Sequence, residues 1–243
     1  MEFSVCQISD YMGIFLNKIF SNRQELPEPL PWIEPSINKL HLEAAKSFLF
    51  GNYECAIIAC GMLLEHVLRL ALVNDEQCGL KRPESIKKID SYSSLDTIIA
   101  AADGKKFFKD CDIEWWQDSA KILRNKSAHY LLPLIIKKCA ESSSMKHYLT
   151  GCHISTCHDK EYYQKILLDW GSFYHRAGRC IARNFLQDTT TQVRLIIEHT
   201  KWQGDESWWI SQKHEYEEFF KYKWSLSNIK NSIEKTFTTL GNK

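Results

Sequence analysis

One apolar run constrains this chain more than any other feature. Residues 56–72 read Ala-Ile-Ile-Ala-Cys-Gly-Met-Leu-Leu-Glu-His-Val-Leu-Arg-Leu-Ala-Leu, interrupted only by Glu65, His66 and Arg69. A helix spanning 53–73 would be apolar on nearly every face, and such a helix belongs at the centre of a bundle. No stretch of 18 uninterrupted apolar residues occurs, so a membrane span is not expected.

The flanking sequence supplies partners for that helix. Ile37, Leu40, Ala44 and Phe48 recur at three- and four-residue spacing before Gly51. Ser93 with Asp96 resembles a capping box for a short helix ended by Gly104. Asp112 is the expected N-cap of a helix through Trp116, Ala120 and Leu123 to about Leu132, bent or ended by Pro133. A further helix is predicted over 160–187, with Ile166, Leu167, Trp170, Phe173, Ala177, Cys180 and Ile181 on one side. No period-two alternation is sustained. The expected fold is all-α, an up-and-down bundle of four to five helices.

Three regions follow. Residues 1–35 hold a short N-terminal helix (about 5–20) and a linker with Pro27, Pro29, Pro31 and Pro35, which must be extended. Residues 36–187 form the bundle. Residues 188–243 form an aromatic-rich extension, in which 192–200 reads as helix or strand. The polar stretch 141–159 reads as a loop.

Composition narrows the function classes. At 44% hydrophobic residues, with 10 Gly and 6 Pro in 243, the chain is neither disordered nor fibrous. With 31 Lys and Arg against 30 Asp and Glu, it carries a net +1 and has no evenly basic surface, so nucleic-acid binding would need a local patch. Its nine cysteines, mostly in apolar stretches, and a start without a secretory pattern point to a reduced, cytoplasmic protein.

One string carries chemistry. Residues 121–130 read Lys-Ile-Leu-Arg-Asn-Lys-Ser-Ala-His-Tyr. Histidine moves protons near neutrality, and arginine matches phosphate oxygens with its planar fork. Asn125 and His129, four apart, share a helix face. Arg124 and His129, five apart, diverge by roughly 140° on an ideal helix. Either the helix distorts, or the Arg side chain wraps round, or two chains contribute to one site. By spacing alone, Arg124 could instead form an ion pair with Asp118 or Glu114. Arg194 and His199 repeat the spacing without a polar residue after the arginine, and read as coincidence.

In this context Arg124-Asn125-Lys-Ser-Ala-His129 resembles the motif of the HEPN superfamily (higher eukaryote and prokaryote nucleotide-binding domains). The helix carrying Leu64-Glu65 is similar to that family's first long core helix, in which a Leu-Glu pair is frequent. The resemblance covers about 36–187. It implies a metal-independent endoribonuclease without cofactors, a toxin or anti-phage defence effector working as a homodimer. Arg124, Asn125 and His129 would be catalytic. His129 would transfer protons, Arg124 would neutralise the phosphorane, and Asn125 would position His129 or the phosphate. Lys121, Lys126 and Tyr130 would contact RNA. The resemblance also implies an antitoxin or regulatory partner protein. One branch carries a tyrosine two residues after the histidine; here Leu131 stands there, so regulation through that tyrosine is not expected. The alternative is a non-catalytic dimerisation or adaptor subunit of a defence or regulatory complex.

Lysines and arginines number 12 against 8 acids over 81–138, a local net of +4 that suits an RNA backbone or a solvated helix face. Glu65 and Arg69 are four apart and pair with each other, unless Glu65 orients Arg124. Cys152, His153, Cys157 and His158 have zinc-type donors without zinc-finger spacing, and read as an ordinary loop. The aromatics from Trp202 to Trp224 read as packing against the bundle or as base-stacking groups.

Overall fold

The structure is a computed structural model that describes residues 5–76, 87, 94–108, 113–127, 132–152, 170–200 and 210–221. Among these are eight helices and no strand, the expected all-α bundle. In chain order they are α1 (Val5–Arg23), α2 (Pro35–Leu49), α3 (Tyr53–Glu76), α4 (Leu95–Gly104), α5, α6 (Leu132–Glu141), α7 (Trp170–Thr200) and α8 (Ile210–Lys221). The composite α5 is α-helical over Ile113–Trp115, π-helical over Trp116–Ala120 and α-helical again over Lys121–Ser127.

The apolar run forms the spine. Helix α3 packs against α2, α4, α5 and α7. Ala56, Cys60, Leu63, Leu64, Val67, Leu68 and Ala71 are wholly buried. By length and hydropathy Tyr53–Asn74 could cross a membrane, yet 67% of that window is buried inside the bundle. One stripe of α3 stays open: Cys55 and Met62 are exposed, and Glu65, His66 and Arg69 are half-buried.

Several local expectations shift. The cap of α4 is Ser94, whose side chain accepts from the Thr97 N–H while Thr97 returns the bond. The box thus lies one residue beyond the Ser93–Asp96 reading. Pro133 does not end a helix; it sits in the first turn of α6, where no intrahelical N–H is needed. The stretch after 141 is not simply a polar loop. A 3₁₀ turn over Lys146–Leu149 buries Met145 and Tyr148 completely, and Tyr148 accepts a hydrogen bond from Trp115 Nε1 at 2.7 Å. Residues 192–200 are helical. Helix α7 runs unbroken through position 187, and Val193, Ile196 and Ile197 lie in the main core.

The proline segment is non-helical and folded inward. Its backbone groups find side-chain partners, as buried chain must. Asn38 takes the Ile33 N–H at 3.2 Å and donates to the Pro31 carbonyl at 3.1 Å. Arg194 donates to the Pro29 carbonyl at 3.2 Å, which gives the arginine of the coincidental pair a structural partner. Tyr216 of α8 accepts the Leu30 N–H at 2.8 Å.

Helix α8 docks through a second, smaller core of Leu42, Ala45, Tyr216 and Phe220. At its heart is His41, fully buried. Thr190 Oγ1 donates to the Leu186 carbonyl at 2.7 Å, so it accepts from His41 Nε2 at 3.0 Å. With the proton of the neutral ring on Nε2, Nδ1 accepts from the Tyr216 hydroxyl at 2.7 Å, and Tyr216 accepts from the Leu30 N–H. Both nitrogens of the neutral ring are thereby matched. Burial, helped by nearby Arg194, pushes the His41 pKa down to about 3.

Candidate functional site

The Arg124–Asn125 end of the predicted motif sits where α5 crosses α3. At the crossing, a Cβ on Gly61 would lie 2.9 Å from Cγ, 3.0 Å from Cβ and 3.2 Å from Cα of Arg124. Real Cβ contacts are rarely so short, so only glycine lets the two backbones approach this closely. Just upstream, the π turn changes the phase with which the following residues leave the helix axis, a feature frequent at functional sites. Leu123 faces the core, and Arg124 emerges beside it at the rim.

The close approach delivers Arg124 to Glu65. Arg124 Nη2 donates to Glu65 Oε2 at 2.6 Å, and Nη1 donates to Asn125 Oδ1 at 3.1 Å. The other Glu65 oxygen, Oε1, accepts from Arg69 Nη2 at 3.1 Å and Nε at 3.3 Å. The carboxylate therefore bridges two arginines, so both readings of Glu65 hold together. Arg124 pairs across helices and not, among its described contacts, with Asp118 or Glu114. Its side chain remains 36% exposed. A charged fork held by a carboxylate and an amide while still part-exposed is oriented in advance for an anion such as a phosphate.

At the residue after Glu65, His66 Nε2 and Ser36 Oγ are hydrogen-bonded at 2.8 Å. Ser36 Oγ in turn lies 3.4 Å from Glu34 Oε1. Burial lowers the His66 pKa, with Glu34 opposing it. The sequence offered no signal for this triplet, because Ser36 and His66 belong to different helices.

The remaining motif residues fall differently. Asn125 is half-buried and orients Arg124; His129 and Tyr130 lie outside the described residues. Lys126 lies in the last turn of α5, and its side chain is outside the described set. Lys121 is bound to Asp96 Oδ1 of α4 at 2.6 Å. Its charge thus already has a partner within the bundle. Gly61 was missed by sequence reading, because a glycine inside an apolar helix shows its purpose only once the crossing helix is known.

Cys152 is buried, while His153, Cys157 and His158 lie outside the described residues. Among the described residues no group of three or more metal-ligating side chains occurs. Of the tail aromatics described, Tyr216 and Phe220 are buried in the second core and Phe219 packs against it. A groove of about 190 Å³ lies between α2 and α8, lined by Trp32, Leu42 and Tyr216 among others, and shares no residue with the Arg124 constellation.

Comparison of the chain with family models, with curated proteins and with solved structures yields no match.

Proposed function

We propose that this chain is a metal-independent endoribonuclease of the HEPN type, a toxin or anti-phage effector acting as a homodimer. The observation that carries the reading is the held, half-exposed Arg124 at the α3–α5 crossing, five residues before His129. In this reading the ribose 2′-hydroxyl attacks the adjacent phosphate. His129 moves the proton, and the Arg124 guanidinium neutralises charge as the phosphorane forms. Glu65 and Asn125 hold the guanidinium, which lowers the entropy lost on positioning it. The products are a 2′,3′-cyclic phosphate and a 5′-hydroxyl.

The test is cleavage of a mixed RNA substrate in EDTA by wild type, Arg124→Ala and His129→Ala. We expect cutting by wild type only, with both variants lowered by roughly 10²-fold or more. Absence of cutting by wild type, or equal cutting by the His129 variant, overturns the reading. A second reading, a non-catalytic dimerisation or adaptor subunit, is favoured by the engagement of both Arg124 terminal nitrogens within the bundle. It predicts no cleavage at all.

A further inference from the structure

A hydroxyl and an imidazole meet on the open stripe of α3. Ser36 is the second residue of α2, after Pro35, and its own N–H has no carbonyl within the helix to take. His66 lies on the stripe, in α3. Ser36 Oγ is 2.8 Å from His66 Nε2 and 3.4 Å from Glu34 Oε1. One hydroxyl proton thus has two acceptors in reach, and the imidazole is the nearer. Glu34, Ser36 and His66 are all half-buried, so solvent reaches the group. Met62, one turn before His66 on α3, is 55% exposed and adds an apolar side chain to the same face.

His41 provides the contrast. It too bonds hydroxyls, those of Tyr216 and Thr190, but both of its nitrogens are taken and the ring is wholly buried. No electrophile reaches it. At His66 the described contacts engage Nε2 alone. Burial lowers the His66 pKa, Glu34 and Glu65 oppose the shift, and Arg69 adds to it. The ring is therefore in its neutral, basic form at pH 7. The two carboxylates that oppose the shift are also the charges that favour an imidazolium once one forms.

We propose that Ser36 and His66 form a second reactive site, a nucleophile with its general base, which takes the acyl group of a small ester with an apolar acyl chain. Ser36 Oγ attacks the carbonyl carbon while its proton passes to His66 Nε2, on the tautomer whose own proton sits on Nδ1. The Ser36 N–H supplies a donor for the oxyanion. The bond from the carbonyl carbon to the alcohol oxygen breaks, and that oxygen takes the proton from Nε2. Water then attacks the acyl-serine and loses a proton to His66. The bond to Oγ breaks, and Oγ recovers a proton. One ester and one water become one carboxylic acid and one alcohol, and the protein is returned unchanged. The site uses neither Arg124 nor His129, so it stands or falls apart from the ribonuclease reading.

The test incubates the full chain with p-nitrophenyl butyrate, quenches with acid and locates acyl groups by peptide mass. We expect a butyryl group on Ser36, formed faster than on Ser94, an exposed serine bonded to Thr97 that serves as the reference. His66→Gln should lower the rate of Ser36 acylation by roughly 10²-fold. A measurement on the unaltered protein guards against misfolded variants: acylation of Ser36 should rise with pH and level off, with its midpoint below the ordinary histidine value of about 6.5. The proposal fails if Ser36 is acylated no faster than Ser94, if His66→Gln acylates Ser36 as fast as wild type, or if the Ser36 rate keeps rising through neutral pH.

Discussion

Two polar constellations lie in different parts of the same bundle, and they are built in opposite ways. Around His41, both ring nitrogens and the hydroxyls of Tyr216 and Thr190 are buried and matched, with the Leu30 N–H and the Leu186 carbonyl completing the network. Around Arg124, the pairing is charged and the side chain is 36% exposed. A buried, closed network leaves no donor for a ligand and acts as a staple. A half-exposed, charge-held fork stays in contact with solvent. The presence of a histidine or an arginine therefore says little by itself; burial and the state of its partners separate scaffold from site.

The largest effect should come from cutting the staple. Tyr216→Ala removes a wholly buried ring and leaves His41 Nδ1 and the Leu30 N–H without partners, so it should cost about 3–5 kcal/mol in urea unfolding. A loss under about 1 kcal/mol would mean that α8 is not held by this network.

Acid should act on the same place. Above pH 6.5, the ordinary histidine value, His41 is neutral folded and unfolded alike, and no linkage exists. Between that value and the folded value of about 3, the unfolded chain binds a proton that the folded chain refuses. Stability should therefore fall as pH falls through this window, by about 1.4 kcal/mol per unit for this one group. Urea midpoints measured from pH 7 to pH 4, beside those of His41→Leu, read the contribution; equal slopes would dissolve the contrast.

At the site, Gly61→Ala should push α5 from α3 and cost about 1–3 kcal/mol. The penalty should shrink when Arg124→Gly is added, because the clash is with Arg124 Cβ and Cγ as well as Cα. Purely additive costs would place the strain elsewhere. The smallest effect on stability should be Glu65→Gln, under about 1 kcal/mol, because the Arg124 end of the pair is solvent-screened. On the proposed ribonuclease reading, that change should nonetheless lower RNA cleavage by loosening Arg124, an effect that cleavage rates would register and melting would not.

Much of the helical architecture was legible. The spine, the periodic faces of α2 and α4, and the buried Trp116, Ala120 and Leu123 are local patterns that one helix carries by itself. The cap at Ser94 and the start of α6 at Leu132 were missed because propensity marks helix ends only to within a residue or two. The run of α7 past residue 187 was hidden by its polar, β-branched stretch, where Thr189 and Thr190 are buried by tertiary contacts. At the site, Arg124 and Asn125 could be named from their string. The Glu65 partner could only be offered as an option, since 59 residues separate the pair.

By itself, the sequence determined that a nearly all-apolar helix would occupy the centre and that amphipathic helices would surround it. Burial of periodic apolar faces is an additive, local demand that any compact fold of this chain must meet. Only the tertiary structure decided which polar side chains face one another. That choice depends on how closely two helices cross, and here it turns on Gly61, where the absence of one Cβ brings Arg124 to Glu65.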